Sequence, residues 1–330
     1  MKKIRHIIEF IIVKIIFTIL KRLPHTILFW ISSTIGQIMF LLPPLRKLTV
    51  SNVKAAYPEK IDKETKKIGR ESLINLVQSM LEFTWFSGRP DRLHKHFAQP
   101  LAINELAETK TKDGNGFIYV IPHLGNWELA GLIFSNTCDH PIAAVARKLD
   151  NPYLNKLIIG NRATEGTRVI PAKGAVKGMM RSLAEGFIVV TLIDQNTRVR
   201  DGGIWTEFFG LPVPASRAPA MFARKRKCEI AIGGCIRVGK KYDTFTEELP
   251  KSISEYESDE EIINDLMLAT ERVIRKYPEQ YLWMYKRFQH IRETATIEEQ
   301  QKYPYYAEVV KPRFYSTKVP KEKNSFDTTQ

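Results

Sequence analysis

The stretch "DGNGFIYVIPHLGNWELAGLIF", residues 113–134, decides the fold. It opens on a turn signal, Asp113-Gly114-Asn115-Gly116. A short apolar strand through Phe117–Pro122 follows, and then a helix through Asn126–Phe134. Pro122 ends the strand and the Gly125-Asn126 pair turns the chain. Asn126 fits an N-cap, which puts Glu128 in the first helical turn, where a carboxylate is favoured. His123 then stands on the loop between strand and helix. In an open parallel sheet that loop lies at the carboxyl edge, where α/β folds bind ligands.

Working outward, the alternation continues. "IAAVAR" (142–147), "TRVIP" (167–171) and "FIVVTLID" (187–194) read as strands, the last apolar enough to be buried on both faces. Between them, "NPYLNKLIIGNRA" (151–163) starts a helix near Pro152, and "AVKGMMRSLAEG" (175–186) ends one at Gly186. A helix through "APAMFARKRK" (218–227) and strands through "CEIAIGGCIRV" (228–238) and "YDTFTEEL" (242–249) come next. Ser258 with Glu261 three residues on opens a last helix, and residues 62–87 form an earlier amphipathic one. The predicted fold is α/β, with a largely parallel central sheet flanked by helices.

The N-terminus departs from this pattern. Leu23 to Leu45 carries no Asp, Glu, Lys or Arg, against the roughly 20 residues that cross a hydrocarbon core. The preceding "MKKIRHIIEFIIVKIIFTILKR" gathers Lys2, Lys3, Arg5, His6, Glu9 and Lys14 on about half a helical circumference, an interfacial pattern, with a spanning helix as the alternative. We therefore expect a membrane-anchoring helical segment over residues 1–45, a catalytic α/β domain over 46–310, and a polar, disordered tail over 311–330. Basic residues on both flanks predict that the bulk of the protein faces the cytoplasm.

The chain has 330 residues, a formal charge of +14 and three cysteines without CxxC spacing. The charge favours anionic partners: phosphorylated lipids, an acidic carrier protein, or nucleic acid. No nucleic-acid motif is present, and no His/Cys spacing suits a structural metal. No metal or cofactor is predicted.

The His123–Glu128 element carries the chemistry. Positions five apart in one continuous helix diverge by about 140°, so the two side chains converge only because the helix begins between them. A carboxylate on one imidazole nitrogen fixes the tautomer and leaves the other to take a proton. With no GxSxG motif, direct deprotonation of an attacking hydroxyl fits better than an acyl-enzyme. The alternative is an ordinary turn histidine with a capping glutamate. Arg147, Arg162 and Arg168 follow the element and suit phosphate binding. Asp194, Gln195 and Asn196 leave the most apolar strand at the same sheet edge and, with Asn126, are expected to line the substrate site. "WTEFFGLPVP" (205–214) reads either as an acyl-channel wall or as core, and Arg224–Lys227 as a surface for an acidic carrier or membrane.

"HLGNWE" (123–128), with its spacing HxxxxE, resembles the late acyltransferases of lipid A biosynthesis, within the lysophospholipid-acyltransferase superfamily. "SNVKAAYP", "RKLDNPYLNKLI", "NRATEG", "IDQN", "EFFGLPVPAS" and "PEQYLWMYKRF" resemble further family blocks in the family's order, over about Leu20–Phe288. The resemblance implies acyl transfer from an acyl carrier protein to a glycolipid hydroxyl beside membrane lipids, with His123 as general base and Glu128 orienting it. Tyr285 stands where the family often has histidine, and Glu207 where proline is common.

Overall fold

The computed structural model describes residues 2–97, 102–111, 114–146, 148–162, 167–171 and 174–316. Six helices come first: α1 (Lys2–Leu20), α2 (His25–Leu41), α3 (Pro43–Ala56), α4 (Asp62–Phe86), α5 (Pro90–His96) and α6 (Ala102–Lys110). The alternating segment runs β1 (Ile118–Val120), α7 (Trp127–Thr137), β2 (Ile142–Ala146), α8 (Pro152–Arg162), β3 (Thr167–Pro171), α9 (Ala175–Ala184) and β4 (Ile188–Thr191). The remaining elements are β5 (Gly203–Phe208), β6 (Leu211–Ser216), α10 (Ala218–Arg226), β7 (Ile230–Val238), β8 (Lys241–Glu248), α11 (Asp259–Lys276), β9 (His290–Ile291), α12 (Ile297–Gln301) and β10 (Glu308–Val309).

The sheet order is β3-β2-β4-β1-β7-β8, parallel throughout except for the antiparallel β7–β8 pair at one edge. This is the largely parallel α/β sheet that the strand–helix alternation predicts. The parallel strands are short and almost wholly apolar because helices cover both faces. β1 is central, with Ile118, Tyr119 and Val120 fully buried. A ligand loop leaving β1 therefore leaves the middle of the sheet.

The uncharged run from Leu23 to Leu45 does not form one straight helix. It breaks at Leu42, and α3 leaves α2 through a 92° bend, because Pro43 and Pro44 begin a new helix rather than continue the old one. Among the described residues no single helix is long and apolar enough to cross a membrane. α2 instead packs along α4: a Cβ on Gly36 would meet the Ile74 Cα at 2.5 Å, so only glycine lets the helices approach this closely. α1 docks beside α8, where the Asn151 amide donates to the His6 carbonyl (2.8 Å) and to the Glu9 carboxylate (2.9 Å). The outward faces of both helices remain apolar, with Ile4, Ile8, Ile15, Trp30 and Leu41 exposed.

The structure decides between two open readings of one segment and shifts the boundary of another. "WTEFFGLPVP" is the β5–β6 hairpin and belongs to the core: Phe208 is fully buried, stacked on Phe288. The polar tail begins later than Lys311, because Phe314 is buried against Trp205 and His290. Residues 317–330 lie outside the described residues.

Candidate active site

β1 and β4 are neighbours in parallel register, Ile118 beside Val189 and Val120 beside Thr191. That register pairs residues 71 apart, and the same offset, carried three residues past the strand ends, sets His123 beside Asp194. Asp194 Oδ1 accepts from His123 Nδ1 at 2.8 Å, and Asp194 Oδ2 accepts from the His123 backbone N–H at 2.8 Å. The partner that fixes the imidazole is thus Asp194, which corrects the expectation that Glu128 would do so. The helix beginning at Trp127 carries Glu128 onto α7, while sheet register places Asp194 against Nδ1.

The tautomer follows. A deprotonated Asp194 can only accept, so Nδ1 carries the proton and Nε2 keeps its lone pair. Gln195 Nε2 lies 3.2 Å from His123 Nε2 and donates to it. Burial alone would lower the imidazole pKa, but the Asp194 charge and hydrogen bond, with the Glu128 charge behind them, raise it above its usual value. Burial pushes the Asp194 carboxyl up, and the imidazole charge and the two hydrogen bonds from His123 more than offset this, so it sits below the usual carboxylate range. Tyr281 stands behind Asp194; burial first, and then the Asp194 charge, raises its phenol.

The loop holding His123 is fixed from three sides. Gly125 adopts φ +63°, and a Cβ there would meet the Cys235 carbonyl oxygen at 2.0 Å, so no other residue fits. The segment after α11 straps the loop: Leu282 N–H donates to the His123 carbonyl (3.0 Å) and Gly125 N–H to the Gln280 carbonyl (3.0 Å). From α4, Asn75 Nδ2 (2.9 Å) and Ser79 Oγ (3.0 Å) donate to the Gly125 carbonyl.

Asn126 is wholly buried. Its Oδ1 caps α7 by accepting from Leu129 N–H (2.9 Å), and its Nδ2 donates to Glu82 (2.9 Å). This corrects its assignment as a substrate contact, since the side chain has no surface to offer. Glu82 is itself a second buried carboxylate. It accepts from Gln78 (2.8 Å), Arg237 (2.9 Å) and the Tyr242 hydroxyl, and His25 Nε2 lies 3.3 Å away. Burial would raise the Glu82 carboxyl, but Arg237 and the hydrogen bonds to it hold it down at about 2.

The other predicted residues divide. Gln195 joins the site at Nε2. Asn196 joins the strap: its N–H donates to the Tyr285 hydroxyl (2.9 Å), and its Oδ1 accepts from the buried Arg287 (2.8 Å). Arg147 lies outside the described residues, and Arg162 closes α8 with its side chain outside them. Arg168 pairs with Glu185 (2.7 Å) and is bonded to Ser182 (3.0 Å), so it is occupied away from His123. Arg224 is likewise held by Asp259 (3.1 Å) and Arg226 by Asn115 (2.9 Å). Sequence reading missed Glu82, Tyr281 and Arg287 as neighbours of the loop. Their signal was only a charged or polar residue inside an apolar segment, and nothing along the chain says which loop such residues meet.

A cavity of about 450 Å³ opens beside His123. Trp127, Glu128 and Gln195 stand with His123 at its polar end, and Leu132, Phe134, Ala144, Val169 and Val190 give it apolar walls. Trp127 meets the imidazole edge-on, ring centroids 5.2 Å apart. The arrangement offers a base with a fixed tautomer, exposed on one nitrogen, next to space for an apolar group of ordinary ligand size.

Comparison with known proteins agrees in kind. The chain is 23% identical over 280 residues to the lipid A biosynthesis lauroyltransferase of Escherichia coli K12, covering 81% of this chain and 87% of that protein. It is 29% identical over 110 residues to the phosphatidylinositol mannoside acyltransferase of Mycolicibacterium smegmatis, covering 32% of this chain and 34% of that protein. A profile described as bacterial lipid A biosynthesis acyltransferase matches residues 1–290. The chain belongs to that family of lipid acyltransferases.

Proposed function

We propose that this enzyme moves a fatty acyl chain from the thioester of an acyl carrier protein to a hydroxyl of a lipid A precursor, with no acyl-enzyme. The observation that carries this reading is the His123–Asp194 pair at the polar end of an apolar cavity. The acyl tail lies in the cavity, where each buried methylene contributes about 0.8 kcal/mol. The acceptor hydroxyl replaces Gln195 at His123 Nε2. His123 takes its proton as the oxygen attacks the thioester carbon. The C–S bond then breaks, and the imidazolium, held by Asp194, returns the proton to the leaving thiolate. Glu128, which lines the cavity, and Arg147 and Arg162, whose guanidinium groups suit phosphate, remain our candidates for holding the charged parts of the substrates. The exposed apolar faces of α1 and α2 support anchoring at the inner membrane with the site on the cytoplasmic side.

A second reading keeps the chemistry and changes the acceptor to another glycolipid. It is favoured by the likeness to a mannoside acyltransferase. Mass spectrometry of membrane glycolipids from cells with and without the gene separates the two. Loss of one secondary acyl chain from lipid A supports the first. Unchanged lipid A with a deacylated species of another lipid supports the second. No change in any lipid overturns both.

A further inference from the structure

The match to the family ends at residue 290, yet the chain folds on as far as Ser316. β9 and β10 pair in this extension, the Tyr303 hydroxyl donates to the Pro212 carbonyl (2.8 Å), and the Tyr306 hydroxyl bonds Asn52 on α3. These bonds hold the segment 301–305 opposite α3, and a groove of about 960 Å³ lies between them.

The groove is strongly cationic. Arg46, Lys47, Lys54, Lys60, Lys66 and Lys302 line it, against a single lining carboxylate, Asp62. Asp62 is taken by Lys54 at 2.5 Å, and Lys47 stacks over Tyr305 at 4.0 Å. Arg46, Lys66 and Lys302 have no ion-pair partner among the described residues. The rest of the lining mixes apolar Val50, Ala55 and Pro304 with Ser51 and Gln301. Cations interleaved with apolar side chains complement an amphipathic helix with acidic edges. The size agrees: with side chains a helix is about 10–12 Å across, so the groove holds roughly two turns, far more than one phosphate needs.

Its position connects it to the site. On α3, Asn52 Nδ2 donates to the carbonyls of Trp283 (2.7 Å) and Tyr285 (2.8 Å). These belong to the strap whose Leu282 N–H holds His123. α3 and this strap therefore link the groove to the His123 loop. We infer that the groove between α3 and the C-terminal extension docks an acidic helix of the protein that carries the acyl thioester. This rests on the function proposed above. Arg224 to Lys227, the alternative surface, already spends Arg224 and Arg226 on contacts within the chain.

The test titrates fluorescein-labelled acyl carrier protein with the full chain and reads anisotropy. Arg46→Glu/Lys66→Glu/Lys302→Glu should weaken binding about tenfold or more, and added salt should weaken the parent chain likewise. KM for the acylated carrier should rise to match, with kcat and the KM for a small acyl thioester unchanged, while Lys225→Glu on α10 changes nothing. Should the triple variant melt early, Lys302→Glu alone, exposed on the C-terminal extension, is expected to give a smaller shift of the same sign. Unchanged carrier binding overturns the inference. So does a loss confined to phosphatidylglycerol vesicles, which makes the groove a lipid head-group site. If the parent chain transfers no acyl group from any donor, the proposed function fails, and the anisotropy still judges the groove.

Discussion

Among the described residues stand two histidine–carboxylate pairs with a buried carboxylate, His123 with Asp194 and His25 with Glu82. Both carboxylates are nearly inaccessible, at 1% and 0% exposure, and both sit below the usual carboxylate range. Their surroundings differ. His123 turns Nε2 toward a cavity of about 450 Å³, whereas His25 is packed among Trp85, Phe86, His96 and Tyr242. Asp194 supports one imidazole, while Glu82 is matched to Arg237 and also holds Asn126, Gln78 and Tyr242. Proximity of an imidazole to a carboxylate is therefore no sign of catalysis. The pairs differ at Nε2, which borders the cavity in His123 and is buried in His25.

Substitution should split the two pairs. The largest effect expected is on His123→Ala and Asp194→Asn. Each should cost acyl transfer about 10²–10⁴-fold, the usual worth of a positioned base, while the melting temperature changes little. Equal activity in Asp194→Asn and parent enzyme would end the role given to Asp194. Glu82→Ala should do the reverse. It leaves Arg237 buried without its partner and removes about 3–5 kcal/mol of stability, readable by urea unfolding. Should Glu82→Ala unfold at the parent's urea midpoint, the structural role assigned to it is wrong.

Acid titration sharpens the contrast. A carboxyl held near 2 in the folded chain, against 4.5 for the free group, contributes stability that is complete above about 4.5. That contribution is lost as pH falls toward 2. Glu82→Gln should flatten the curve of stability against pH in this window, measured by chemical unfolding at each pH. At the other pair the base must be neutral to act. Its raised pKa predicts kcat/KM that climbs with pH through a midpoint above 6.5, the ordinary histidine value. In Asp194→Asn, burial is opposed only by the Glu128 charge, and the midpoint of the residual activity should fall. Glu128→Gln removes only the more distant charge. It should lower the midpoint less, with about tenfold or less lost in rate. The smallest change concerns the cavity wall. A Cβ on Gly131, which lines the cavity, meets nothing within 4 Å, so Gly131→Leu should fold and narrow the cavity. Donor preference should move to shorter chains by about fourfold for each methylene displaced, as competition between two acyl donors would show.

Much of this was legible in order along the chain. The apolar runs ending in Pro122 and Asp194 marked parallel strands, and the turn at Gly125-Asn126 marked where α7 begins. Length left open whether the N-terminal run spans or lies flat, and the structure breaks that run at Pro43-Pro44. Aromatic content left "WTEFFGLPVP" open between channel wall and core, and Phe208 and Phe209 are core. Both alternatives stayed open along the chain because hydrophobicity reports burial without naming what does the burying.

By itself the sequence determined the elements and the residue types at their ends. Periodicity, capping and turn chemistry act over a few neighbouring residues. So His123 on a loop after a buried strand, with Glu128 in the next helical turn, could be read directly. Which carboxylate touches the imidazole was decided only by the tertiary structure. The candidate in the motif is five residues away, and the one that bonds is 71 away, because β4 lies beside β1 in parallel register. Strand order is settled by how whole faces pack, a long-range balance that no local spacing encodes.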